Sequence, residues 1–348
     1  MSPPIMTALL LTLGLGTTVT FASSHWLLAW MGLEINTLAI IPLITHTHHP
    51  RSVEAATKYF LTQATAAATM LFASITNAWL TGQWNISLMT HSIPTTMVIL
   101  ALSLKIGLAP LHIWLPEVLQ GLDLTTGLIL STWQKLAPLT LLIQPPLSNH
   151  NMLTLMALTS ALVGGWGGLN QTQLRKILAY SSIAHLGWMV MIIQFAPELT
   201  ILALATYLIM TSAAFLTLKL CNATSVNTLA TSWSNLPLLT AMFPLVLLSL
   251  GGLPPLTGFI PKWLILQELT KQALPIPATL MALSALLSLY FYLRLSYTMT
   301  LTMSPNTLTH MAPWRLTPHL TLTPLPPFIT AAMTLLPISP ALLAMITS

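Results

Sequence analysis

Gly252-Leu-Pro-Pro-Leu-Thr-Gly-Phe-Ile-Pro-Lys262 repeats the outline of Gly107-Leu-Ala-Pro-Leu-His-Ile-Trp-Leu-Pro-Glu117. Both stretches read G-L-x-P-L-x-x-x-x-P followed by a charged residue. Gly252 follows Gly107, Pro255 follows Pro110 and Pro261 follows Pro116 at one offset of 145 residues, which marks an internal repeat. Each copy interrupts a long apolar run. Proline removes a backbone donor and clashes with the carbonyl four residues back. Non-helical backbone at membrane depth survives only where protein or water covers it. Both copies therefore read as broken transmembrane helices facing a polar interior.

Working outward, spans of about 20 apolar residues are expected at 3–21, 25–45, 54–80, 95–121, 124–144, 151–169, 174–194, 199–220, 237–272, 276–301 and 323–346. Five spans separate the two motifs, an odd number, so the copies should enter the membrane from opposite sides. That is the inverted-repeat pattern of transporters, whose broken helices mark the ion path. The expected fold is an all-α polytopic membrane protein of about 11 transmembrane helices. It divides into a first five-helix repeat (1–145, broken near 105–117) and a second (146–302, broken near 251–262), then a loop and final helix (303–348). The longest polar break is Thr302 to Pro318.

Composition supports the class. Of 348 residues, 11 are Lys or Arg and 6 are Asp or Glu, too few charges to cover a soluble protein of this length. Mean hydropathy is +0.79. The net charge of +5 is scattered, which is not a nucleic-acid footprint. Cys221 is the single cysteine, so neither an internal disulfide nor a cysteine-bound zinc or iron–sulfur cluster is expected. Met1-Ser-Pro-Pro-Ile-Met lacks the basic residues of a targeting segment and reads as the start of a retained first helix. Gly164-Gly-Trp-Gly-Gly168 ends an apolar helix and follows no strand, so it is no dinucleotide loop. There is no Walker sequence, nucleophile elbow or HExxH.

Lys105, Lys135 and Lys262 lie inside apolar runs, and so does Glu34. Each such group costs about 3 kcal/mol at a helix centre, and ionisable groups kept in a membrane usually move ions or protons. A buried lysine near a carboxylate is balanced between its two protonation states; Glu34 is the natural partner. The bland alternative is permanent pairing that only fixes helix packing. His112 lies in the broken segment and His185 in an apolar stretch with hydroxyl neighbours; both suit a proton relay, or are simply bonded to backbone. Glu117 and Asp123 flank the end of the fourth span, near the interface, where charge is cheap. His46, His48 and His49 lack acidic company and read as a solvated loop rather than a metal site. Arg175 and Lys176, at the start of the seventh span, read as an interfacial anchor, Lys219 also sits at a span end, and Glu54 and Lys58 read as a helical i,i+4 pair.

The chain resembles the antiporter-like subunit 2 family of mitochondrial NADH–ubiquinone oxidoreductase, respiratory complex I, in its vertebrate form. The resemblance runs over essentially the full length. It rests on Gly32-Leu-Glu-Ile-Asn-Thr-Leu-Ala-Ile-Ile-Pro42, Glu54-Ala-Ala-Thr-Lys-Tyr-Phe-Leu-Thr-Gln63, the stretch 107–118, Gly168-Leu-Asn-Gln-Thr-Gln-Leu-Arg-Lys-Ile-Leu-Ala179 and the stretch 252–263. It implies kinship with cation/proton antiporter subunits, which have three more N-terminal helices. It implies that Glu34 and Lys105 are the family's glutamate–lysine pair, Lys135 its central lysine and Lys262 its distal charge. It implies a multi-pass protein of the mitochondrial inner membrane that couples quinone reduction to proton translocation. Its partners would be neighbouring antiporter-like and small membrane-arm subunits, accessory subunits and lipids such as cardiolipin. FMN, iron–sulfur clusters and ubiquinone would sit elsewhere in the complex, with no cofactor or metal on this chain. The rival readings are a stand-alone cation/proton antiporter and a non-translocating scaffold of the membrane arm; direct quinone binding finds little support in the sequence.

Overall fold

The computed structural model describes residues 2–46, 48–89, 91–145, 150–234, 237–301 and 324–347. The expected polar break from Thr302 to Pro318 lies outside them. The described residues are helical, with two isolated backbone bridges and no strand. The chain forms two compact units, Met1–Ser160 and Ala161–Ser348.

The first unit holds α1 (Pro3–Ala22), α2 (Trp26–Thr45), α3 (Pro50–Thr81), α4 (Ser92–Ile106), α5 (Trp114–Gly121), α6 (Leu124–Ser131) and α7 (Trp133–Ile143). α8 (His150–Gly167) runs into the second unit, which continues with α9 (Leu174–Ile192), α10 (Pro197–Cys221), a short α11 (Val226–Ala230), α12 (Pro237–Gly251), α13 (Phe259–Lys271), α14 (Pro275–Leu301), α15 (Leu325–Thr334) and α16 (Ser339–Thr347). In the first unit α3 packs on α2, α4 and α5, and α7 on α1, α2 and α4. In the second, α10 is central, touching α9, α12, α13, α15 and α16. The cores are apolar helix faces carrying buried hydroxyls. Most of these hydroxyls bond their own helix three or four residues back, as Ser103 does to Leu100; Thr257 instead donates to Ala332 O at 2.7 Å.

Both expected helix breaks are present. α4 stops at Ile106, and Gly107 follows at φ 85°; α12 stops at Gly251, and Gly252 follows at φ 80°. That left-handed conformation is open to glycine at little cost. A further feature recurs in both units. Before α2, Trp26 N–H donates to Trp84 O and Ile86 N–H to Ser24 O. Before α9, Leu174 N–H donates to Thr224 O and Val226 N–H to Thr172 O. Each clasp ties the residues before one helix to those after the next.

Two expected continuous spans are corrected. The stretch 124–144 is two helices, α6 and α7. Thr132 still places its N–H and its hydroxyl on Leu128 O, at 3.0 and 2.6 Å, but its own backbone swings to φ −111° and ψ −70°, and α6 ends there. Pro138 then withholds the N–H that Gln134 O would accept. The stretch 323–346 bends by 68° between α15 and α16; Pro337 falls in the break and Pro340 in the first turn of α16. Among the described residues four helices are long and apolar enough to cross a membrane, α1, α2, α10 and α14, and the bent pair makes a fifth. The remaining expected spans are shortened by breaks, as at α4 and α12, or fall short on apolar character.

Candidate functional site

In the first unit the end of α4 decides the geometry. Helix termini leave carbonyls without donors, and here side chains supply them. Trp114 Nε1 donates to Leu104 O at 3.0 Å, and Gln63 Nε2 reaches Lys105 O at 3.5 Å. Lys105 itself lies in the last turn of α4, where a cation faces the negative end of the helix dipole. Lys105 is 6% exposed and Lys135, in the first turn of α7, is 2% exposed.

Both lysines line one cavity of about 20 Å³, room for a water molecule. Its walls also carry Asn36, Thr37, Tyr59, Gln63, Trp114 and Gln134. The lining is unusually polar for a membrane core: two lysine amines, three amides, a phenol and a hydroxyl. Glu34 is not itself part of that wall but lies on α2 between two residues that are, Leu33 and Asn36. Its charge acts on Lys105 through space, yet neither Glu34 Oε2 nor Lys105 Nζ has a hydrogen-bond partner. Glu34 and Lys105 are therefore neighbours rather than a locked ion pair. His112 sits half-buried in the turn between α4 and α5 and is not part of the cavity wall.

The second unit solves the same problem with a different group. Lys262 Nζ donates to Gly251 O at 2.7 Å, capping the broken end of α12 from the first turn of α13. Its Nζ lies 6.0 Å from the centre of the Trp188 ring. Position 259, which follows Trp114 by the repeat offset, is phenylalanine, whose side chain has no N–H to offer. Lys262 and His185 line a second cavity of about 20 Å³ with Trp188, Thr206 and Met210, and the His185 ring packs against Tyr207 at 5.5 Å.

The sequence names the lysines but not Tyr59, Gln63, Asn36 or Gln134. Gln63 lies one helical turn beyond Tyr59, a spacing that would have paired them, whereas Asn36, two residues beyond Glu34, and Gln134, next to Lys135, do not share a helix face with those charges and carry no such signal. Glu54 and Lys58 pair at 2.8 Å, as their spacing requires, and Lys58 also holds Glu117 at 2.7 Å. His49 accepts the Arg51 N–H and so caps α3. Among the described residues no group of three or more His, Cys, Asp or Glu is placed to hold a metal ion.

Residues 23–288 match the family described as NADH:quinone oxidoreductase/Mrp antiporter, TM, and residues 289–343 match NADH dehydrogenase subunit 2 C-terminus. The chain is 68% identical to NADH-ubiquinone oxidoreductase chain 2 of Cyprinus carpio over all of both chains. It is 70% identical to that of Salmo salar over 94% of this chain and 93% of the relative. It is also similar to a chain of respiratory complex I from Thermus thermophilus with bound aureothin, at TM-score 0.81 and 28% identity, covering 97% of this chain and 77% of that one.

Proposed function

This chain belongs to the NADH:quinone oxidoreductase/Mrp antiporter family, and on that premise we propose that it serves as a membrane-arm subunit of a proton-pumping NADH:ubiquinone oxidoreductase. It resides in the mitochondrial inner membrane as a multi-pass protein, and the other subunits of the complex are its partners. Accessory subunits and lipids such as cardiolipin complete its surroundings. It is a subunit of an oxidoreductase that itself carries protons rather than electrons; flavin, iron–sulfur and quinone chemistry belongs to other subunits.

The observation that carries this reading is the meeting of Lys105 and Lys135 on one polar cavity, beside a carboxylate that is not bonded to Lys105. A fixed salt bridge would hold its proton; an unlocked Glu34–Lys105 pair can exchange one when the local field changes. In the proposed cycle, quinone reduction elsewhere perturbs that field, Lys105 and Lys135 change protonation, and Lys262 with His185 carries the proton onward. His112, in the turn that breaks the span, is assigned to the same relay by its chemistry.

The finer architecture belongs to the same proposal: about eleven spans, two inverted five-helix repeats bounded near 145 and 302, and one further C-terminal helix. The shared motif offset, the left-handed glycines after α4 and α12, and the two matching clasps support it.

The test is a native gel of source membranes in mild detergent, with NADH-dehydrogenase staining and mass spectrometry of the stained band. Peptides of this chain in a very large, active band are expected. Migration alone, without that activity, would favour a stand-alone cation/proton antiporter and refute the assignment.

A further inference from the structure

The facing sides of α3 and α5 meet in a ladder that ends at the Lys105 cavity. Gly121 lies at the outer rung: a Cβ there would stand 2.6 Å from Arg51 O and 2.7 Å from Ala55 Cβ, so the two backbones touch. The next rung is ionic. Lys58 Nζ is 2.7 Å from Glu117 Oε2 and 2.8 Å from Glu54 Oε1, with all three side chains open to solvent. The inner rung is the edge-on contact of the Trp114 and Tyr59 rings, with centroids 5.8 Å apart. Both rings line the cavity, and Trp114 also caps Leu104 O beside Lys105. Only the middle rung uses charge that water can reach. α5 is eight residues long and is joined to α4 through the non-helical residues 107–113; buried Leu115, Val118 and Leu119 seat it, and the ion pair adds a charged tie to α3.

We propose that Lys58 and Glu117 are a positioning pair: by fastening α5 to α3 they hold Trp114 and Tyr59 together and keep the Lys105–Lys135 cavity closed to bulk water. Glu54 orients Lys58 without crossing between helices. The pair therefore governs when the cavity hydrates, and through hydration how readily its lysines exchange protons. This role rests on the translocation reading for its purpose, but the closure itself does not depend on that reading.

The closure can be measured directly because Cys221 is the single native cysteine and lies in the other unit. Leu115 is 1% exposed and lines the cavity from α5. A Leu115→Cys chain in intact membranes is treated with a water-soluble maleimide, and labelling of that peptide is followed by mass spectrometry. Adding Glu117→Gln should raise the labelling rate about two- to fivefold, the range an exposed ion pair can enforce. Adding Glu54→Gln should leave it nearly unchanged. Exchanging the charges, Lys58→Glu with Glu117→Lys, should return it toward the starting rate. If Glu117→Gln chains fail to accumulate, Glu117→Asp, which keeps the charge but shortens the reach, gives the same comparison. A labelling rate unmoved by Glu117→Gln or Glu117→Asp overturns the proposal. NADH-driven proton uptake in the same membranes separates the two ideas. Faster labelling with unchanged pumping upholds the closure and counts against the translocation reading.

Discussion

Lys262 reaches back across its own helix break. From the first turn of α13 its Nζ donates to the carbonyl of Gly251, the last residue of α12, at 2.7 Å. One side chain thus meets two needs of a broken membrane helix, a donor for an orphaned carbonyl and a cation at the negative end of a helix dipole. In the first unit these needs are divided between Trp114 and Gln63, which supply donors, and Lys105, which supplies the charge.

Lys262→Met should leave Gly251 O unpartnered. The loss should be about 1–3 kcal/mol, seen as a lower midpoint for thermal inactivation of the assembled enzyme. Lys262→Arg keeps a donor and a charge and should recover most of it. Equal midpoints for Lys262→Met and the parent would show that the cap contributes nothing.

Trp114→Phe keeps an aromatic ring against Tyr59 but removes the N–H that Leu104 O accepts. Stability should fall by about 1 kcal/mol, with proton pumping falling more than NADH oxidation because the vacated carbonyl lies beside Lys105. A Trp114→Phe enzyme with the parent's ratio of protons to electrons would contradict this.

Gly107→Ala should impair assembly more than Gly82→Ala. Both glycines have positive φ, 85° and 71°, and each substitution carries the left-handed cost of about 1–2 kcal/mol. At Gly107, however, the new Cβ would also meet Leu115 Cδ1 at 2.9 Å, whereas Gly82 faces open space. The amounts of mature complex on a native gel decide it; equal amounts would mean the crowding is relieved at no cost.

Glu34→Gln removes the charge that acts on Lys105 while keeping size and polarity. Coupled turnover should drop and its pH profile should move, because Lys105 loses its neighbouring carboxylate. Glu34→Asp should retain the parent's profile. An unchanged profile for Glu34→Gln would separate Glu34 from the relay.

What is legible in the sequence follows from the range of each signal. A lysine in an apolar run and a Gly-Pro break are local, so Lys105, Lys135, Lys262 and both broken helices can be read directly. The break at Thr132 is hidden because threonine is ordinary in membrane helices, and nothing local announces that its backbone will leave the helical angles there. Contacts between distant segments are the least legible. Lys58 and Glu117 stand 59 residues apart, and their pairing depends on how α5 lies on α3. The sharing of one cavity by Lys105 and Lys135 likewise needs the packing of α7 on α4.

The most direct measurement is proton translocation per NADH oxidised in membranes carrying Lys135→Ala, with Lys135→Arg beside it. Normal assembly with coupled pumping abolished or strongly reduced by Lys135→Ala, and partly kept by Lys135→Arg, is the result expected if the buried lysine carries protons. Parental pumping and turnover in an assembled Lys135→Ala enzyme would contradict it and leave the chain a scaffold.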